Sequence, residues 1–190
     1  MSTKTRKVLV PQPEPPKKNS PYYQLAEEYG LELVFNPLFH FETLTARQFR
    51  DQKVDILKHT AVILTSRTIT THFFKLVSDL RCTLPEDFKY TKVKVSTCDV
   101  CRIIYAELTP EEIDSFDFLL FFSPNGLSAI KTAYPEYQQG KQIIGCLGEG
   151  TRDDLEQAGL QVHISAPTRE YPSMTAALEH YLQEEKKAAK

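Results

Sequence analysis

No apolar stretch in this 190-residue chain approaches the roughly 20 residues that a membrane-spanning helix needs, so neither a bilayer crossing nor a membrane partner is expected. The opening residues, Met1 to Lys7, are polar and lack the apolar core of a secretory signal; a cytoplasmic location is the expectation. Charge of one sign is also missing. With 23 Lys and Arg against 25 Asp and Glu, the formal net charge is −2, and no overall field would gather nucleic acid. An anionic ligand must therefore be held by local groups. Cysteine is scarce: Cys82, Cys98, Cys101 and Cys146 are too few for a disulfide scaffold and are expected as reduced thiols.

Other absences narrow the chemistry. The histidines (His40, His59, His72, His163, His180) show no metal-ligand spacing, so no metal is expected. Cys98-Asp99-Val100-Cys101 has redox spacing but lies in a β-rich stretch without a second Cys/His pair, which argues against both a zinc and a redox role. There is no Gly-x-Ser-x-Gly elbow, so hydrolase chemistry at Ser66 or Ser123 is disfavoured. Gly148-Glu149-Gly150 lacks the Lys-Ser/Thr ending of a phosphate-binding loop and the spacing of a dinucleotide fingerprint. Nucleotide binding is set aside, and no cofactor is expected.

What is present is an alternation of strands and helices. At 41% hydrophobic residues the chain can bury one substantial core or two small ones. A strand at Lys7–Val10 leads through a Pro-rich loop to a helix capped by Ser20, started by Pro21 and stopped by Gly30. Leu31–Phe35 is a second strand, and Leu38–Leu44 continues extended. Thr45 and Gln48 form a capping box for a helix around Phe49–Leu57. The apolar run Ala61–Leu64 then reads as a buried strand feeding a helix with Ile69, Phe73, Leu76, Val77 and Leu80 on one face.

That strand-to-helix pattern recurs at Phe118–Phe122, whose helix carries Leu127, Ile130 and Tyr134, as though one half-domain were duplicated. Gln142–Leu147 and Gln161–Ser165 are further strands, the latter preceding a helix capped by Ser173. Between the duplicated units, Lys92–Leu108 is rich in Val, Thr, Ile and Tyr and reads as extended chain before the capping box of Thr109 and Glu112. It could pair with Leu38–Leu44 as a two-stranded connector. Alternating strands and helices imply parallel sheets covered on both faces.

In such sheets ligands collect beyond the carboxyl ends of the strands, where helix beginnings offer unpaired N–H groups. Four loops have this character: Thr65–Thr68, Ser123–Gly126, Gly148–Thr151 and Pro167–Ser173. Singly, their Ser, Thr, Asn and Gly residues read most simply as helix caps. Together they suggest a shared anionic ligand. Tyr105 could donate a proton to a leaving group, although a tyrosine on an amphipathic strand needs no such role.

Four segments, Ala61-Val-Ile-Leu-Thr-Ser66, Phe121-Phe-Ser-Pro-Asn-Gly126, Ile144-Gly-Cys-Leu-Gly-Glu-Gly-Thr151 and Ala166-Pro-Thr-Arg-Glu-Tyr-Pro-Ser173, resemble the uroporphyrinogen-III synthase family, and the similarity runs from about Lys7 to Leu182. The resemblance implies an α/β fold of two flavodoxin-like parallel-sheet domains joined by a two-stranded β connector, with the active cleft between them. On that pattern residues 1–37 plus 109–190 form one domain, 45–95 a second and shortened one, and 38–44 with 96–108 the connectors. The family normally continues with further strands and helices after Tyr90, which this chain lacks, so its second domain is expected to be incomplete.

The implied activity is cyclisation of hydroxymethylbilane with loss of water and inversion of ring D, giving uroporphyrinogen III for heme biosynthesis. The implied substrate-binding residues are Thr65, Ser66, Arg67, Ser123, Asn125, Gly126, Gly150 and Thr151. They would collect carboxylates and hold the bilane curled, orientation rather than strong acid or base supplying the selectivity. Family members often carry a tyrosine in the return connector. Cys101 stands at that position here, leaving Tyr105 as the candidate proton donor. A monomer acting on a small-molecule substrate is expected, with hinge motion about the connectors. A non-catalytic α/β module binding an anionic small molecule is the alternative. A flavin-binding or receiver domain is disfavoured by the lack of an acidic cluster after the first strand.

Overall fold

The structure, a computed structural model, describes residues 5–16, 19–59, 61–81 and 96–188. Cys82 and the stretch 82–95, where the sequence reading ends the second domain and begins the return segment, lie outside the described residues. The chain forms two compact units, Met1–Phe39 with Tyr105–Lys190, and His40–Ile104.

The first unit is built on a parallel five-stranded sheet of β1 (Arg6–Val10), β2 (Leu31–Phe35), β5 (Phe118–Phe121), β6 (Ile143–Leu147) and β7 (Val162–Ala166), in the order β2-β1-β5-β6-β7. Side chains alternate across a strand, so each strand feeds two cores. Leu9, Leu119, Phe121, Ile144 and Cys146 face helices α5 (Pro124–Ala133) and α6 (Glu149–Gln157), with Ile113 of the short α4 (Pro110–Asp114) closing that layer. Val8, Val10, Phe118, Leu120, Ile164 and Ala166 face α1 (Pro21–Tyr29) and α7 (Met174–Ala188) through Tyr22, Leu25, Met174, Ala177, Leu178 and Leu182. Each such aliphatic or aromatic side chain contributes about 1.5–3 kcal/mol on burial. The all-apolar run read at Phe118–Phe122 follows from coverage on both faces: the four strand residues Phe118–Phe121 are buried, while Phe122 lies past the strand and is half-buried.

Local chemistry ends and begins these helices where the sequence indicates. Gly30 stops α1 at φ 63°, a left-handed conformation that a Cβ would strain, and Pro21 starts it. Thr109 and Glu112 form a reciprocal capping box at α4.

The second unit has a small core of Phe49, Ile56, Phe73, Leu76, Val77 and Val100. Its helices are α2 (Ala46–Asp51), opened by the Thr45/Gln48 capping box, and α3 (Arg67–Asp79), separated by a 3₁₀ turn at Ile56–Lys58. The helix expected around Phe49–Leu57 therefore starts earlier and stops at Asp51, because Lys53 turns the chain with φ 57°. Strands β3 (Phe39–Thr43) and β4 (Cys101–Tyr105) pair as an antiparallel ladder, bracketed by Ala106 N–H on Leu38 O at 2.8 Å and Leu44 N–H on Val100 O at 3.0 Å. Glu42 and Arg102 face each other across it at 2.7 Å, an exposed pair worth little in stability.

One expected strand does not form. Ala61–Leu64 pairs with none of the described residues, and Ile63 is 88% exposed, so among the described residues the second unit contains no parallel sheet. An apolar β-prone run becomes a strand only when another strand receives its N–H and C=O groups, and none of the described residues does so. The strand-to-helix pattern read in the second unit thus keeps its helix, α3, and among the described residues has no sheet beside it.

Candidate functional site

All five strands of the first unit run the same way, so their carboxyl ends share one edge. The winding reverses between β1 and β5: β1 is followed by its neighbour β2 on one side, whereas β5, β6 and β7 step outward on the other. A reversal of this kind opens a crevice between the two following loops, the usual place for a ligand in an open α/β sheet.

The β5–α5 loop borders that crevice. Ser123 is the N-cap of α5, half-buried, and its hydroxyl makes no capping bond. Pro124 brings no N–H, and Gly126 donates its own to Ser123 O at 3.0 Å, so Asn125 is the donor that the start of α5 can offer. Gly126 is buried against the Phe121 ring, where an added Cβ would lie 3.0 Å from Cδ1; the missing side chain serves packing there.

The β6–α6 loop is the more open of the two. Gly148 takes φ 90° and donates its N–H to Ala166 O at 2.6 Å, which pins the loop to the end of β7. The first-turn N–H groups of Glu149, Gly150 and Thr151 lie at the positive end of the helix dipole, and a side chain at Gly150 would meet nothing within 4 Å. Thr151 is only 5% exposed. In the β7–α7 loop, Thr168 and Tyr171 exchange two hydrogen bonds of 2.9 Å and Ser173 caps α7 through Ala176 N–H at 3.2 Å.

In the second unit Thr65, Ser66 and Arg67 are exposed. Ser66 caps α3 by accepting from Ile69 N–H at 3.1 Å. Tyr105 ends β4 half-buried against the first unit's core. Cys101 begins the same strand, packed beside the second unit's core, and burial, with the Asp99 carboxylate adding, pushes its thiol pKa up. Cys101 therefore stays a neutral thiol at neutral pH. Four residue steps take the strand from it to Tyr105, about 13 Å, so the two cannot stand in for one another at one reacting atom.

Thus Ser123, Asn125, Gly126, Gly150, Thr151 and Tyr105 belong to the first unit, and Thr65, Ser66, Arg67 and Cys101 to the second. Two clefts of about 490 Å³ lie elsewhere in the first unit and none of these residues lines them. One runs beside β7 and α7 past Arg169, Tyr171 and His180; the other lies among the loops preceding β6 and β7, past Lys141 and Gln161. Sequence reasoning passed over both, the one available signal being polar residues such as Gln142 and His163 within otherwise apolar strands. Among the described residues no cluster of His, Cys, Asp or Glu could hold a metal ion, and no helix is long and apolar enough to cross a membrane.

No protein-family model matches the chain, and no curated protein matches it in sequence. Among solved structures, a mutant uroporphyrinogen III synthase from the extremely thermophilic bacterium Thermus thermophilus superposes with a TM-score of 0.62, covering 95% of this chain and 100% of that one at 13% identity. At that identity the likeness is one of fold: this chain has the α/β architecture of that synthase.

Proposed function

We propose that this chain is a uroporphyrinogen-III synthase, a lyase that closes hydroxymethylbilane with loss of water and inversion of ring D, acting as a cytoplasmic monomer without a cofactor in heme biosynthesis. The observation that carries the reading is the parallel sheet with helix-starting loops along its carboxyl edge, in a fold like that of the Thermus synthase. The substrate bears several acetate and propionate groups, and helix beginnings accept carboxylates without buried cations. In the first unit the candidate groups are Ser123 Oγ and the main chain of Asn125, Gly150 and Thr151, the Gly126 N–H being taken by Ser123 O; in the second they are Thr65, Ser66 and Arg67.

Loss of the terminal hydroxyl from the bilane leaves an electrophilic methylene, and closure onto the wrong pyrrole carbon needs no catalyst. Selectivity therefore comes from holding the chain so that a spiro intermediate at ring D forms first. Tyr105 is assigned the role of proton donor to the departing hydroxyl, and Cys101, held as a thiol, is not.

One observation favours a second reading, a binding module that takes up an anionic tetrapyrrole without isomerising it: the second unit forms no parallel sheet among its described residues. Incubation with hydroxymethylbilane followed by separation of the type I and type III uroporphyrinogens decides between them. Type III product above the uncatalysed background supports the synthase. Type I alone, with retained binding of the product, supports the module.

A further inference from the structure

β6 and β7 do not pair evenly. Ile144 faces Val162 and Gly145 faces Ile164, so His163 is the extra residue of a bulge on an edge strand. In a regular parallel ladder the Ile144 N–H would be received by a β7 carbonyl. Here His163 Nδ1 receives it at 3.2 Å. Ile144 is fully buried, so its N–H has no water to turn to if that acceptor is lost. An imidazole nitrogen accepts only while unprotonated, and the contact therefore selects the neutral ring that carries its proton on Nε2.

We propose that His163 is a proton-controlled latch on the β6–β7 ladder: protonation at Nδ1 sets two N–H groups against each other and loosens the edge strand that leads into the Pro167–Ser173 loop. The inference stands on the bulge and the His163 contact and does not depend on the synthase reading.

The surroundings leave few rival explanations. His163 lines both clefts of the first unit. From α7 it shares them with His180, Tyr181 and Glu184, and from the β7–α7 turn with Arg169, Glu170 and Tyr171. From the segment before β6 come Tyr137 and Lys141. Glu184 is bonded to Lys187 Nζ at 2.7 Å. Between pH 5 and 8 arginine, lysine and tyrosine keep one charge state, and the carboxylates are largely ionised. His180, stacked on the Tyr171 ring at 4.5 Å, is the other histidine in these clefts.

The test is amide hydrogen exchange by NMR on the full chain, expressed as protection factors so that intrinsic base catalysis cancels. The expected result is that Ile144 loses at least about tenfold in protection between pH 8 and pH 5, while Leu119 in the central strand does not. His163→Gln, whose side-chain oxygen accepts at either pH, is expected to keep Ile144 protected at both. His180→Gln is expected to leave the wild-type pH dependence in place. Ring nitrogen shifts of His163 at pH 8 are expected to show Nδ1 without a proton. Equal Ile144 protection at the two pH values, a proton on Nδ1 at pH 8, or an unaltered pH dependence in His163→Gln would each overturn the latch.

Discussion

Replacing Gln142 with leucine tests how the first unit holds its strand ends in place. Gln142 is 8% exposed and uses its whole side chain: Nε2 donates to Ile113 O at 2.7 Å and Phe116 O at 3.1 Å, and Oε1 accepts from Tyr137 O–H at 2.7 Å. These bonds tie the turn after α4, just before β5, to the segment that enters β6, and so fix the stagger of the two strands whose far ends carry Ser123 and Gly148. Leucine would keep the volume and orphan two buried groups, the Tyr137 hydroxyl and Phe116 O. Ile113 O would still accept from Phe116 N–H at 3.3 Å.

At about 1–3 kcal/mol per orphaned group, less about 1.5–3 kcal/mol gained by burying the leucine, Gln142→Leu is expected to cost about 2 kcal/mol at the middle of both ranges. That corresponds to a fall in Tm of roughly 2–4 °C per kcal/mol for a chain of this size. Tyr137→Phe removes one orphan in the leucine background, so the double variant is expected to be less destabilised than the sum of the singles, with a coupling of about 1–2 kcal/mol. Urea denaturation followed by circular dichroism measures all three. A Gln142→Leu variant within about 0.5 kcal/mol of wild type, or strictly additive singles, would refute the reasoning.

Burial pushes the phenols of Tyr22 and Tyr137 up to about 12, against an ordinary value of 10.0, so the folded chain holds protons that the unfolded chain has already lost. Their contribution is complete below pH 10 and is lost as pH rises toward 12, at most about 2–3 kcal/mol each; a denaturation midpoint flat from pH 9 to 11.5 would contradict it. Gly145→Ala would place a Cβ 2.7 Å from Leu120 Cδ2 and 3.4 Å from both Ile164 Cβ and Met174 Sδ, and a cost of about 1–3 kcal/mol in thermal unfolding is expected. On the proposed chemistry, Tyr105→Phe lowers kcat for type III product at least about tenfold with KM little changed, while Cys101→Ser leaves both near wild type; the reverse pattern in a coupled assay would exchange their roles.

Features set by neighbours in the chain were legible without coordinates. The capping boxes at Thr45 and Thr109, the Pro21 start and Gly30 stop of α1, and the apolar run of β5 all stand as read, because capping and periodicity act within one or two turns. The carboxyl-edge loops could likewise be placed at helix starts, since strand-to-helix passages alternate along the chain.

Which groups in those loops remain free to meet a ligand was not legible, because distant residues decide it. Gly126 reads as a loop glycine and is taken up by the Phe121 ring; Ser66 reads as a carboxylate donor, and its hydroxyl oxygen also accepts from Ile69 N–H, which leaves only its O–H to offer. Ala61–Leu64 has the composition of a buried strand, yet a strand is made by a partner, and among the described residues it has none. Gln142 and His163 look out of place in apolar strands until the carbonyls of Ile113 and Phe116 and the N–H of Ile144 are brought beside them. The sequence by itself therefore determined the element types of the first unit, the two capping boxes and the α/β class, all products of local pattern. Only the tertiary structure decided the strand order, the bulge and the spent or open state of each polar group, because hydrogen-bond partners and burial come from residues far apart in the chain.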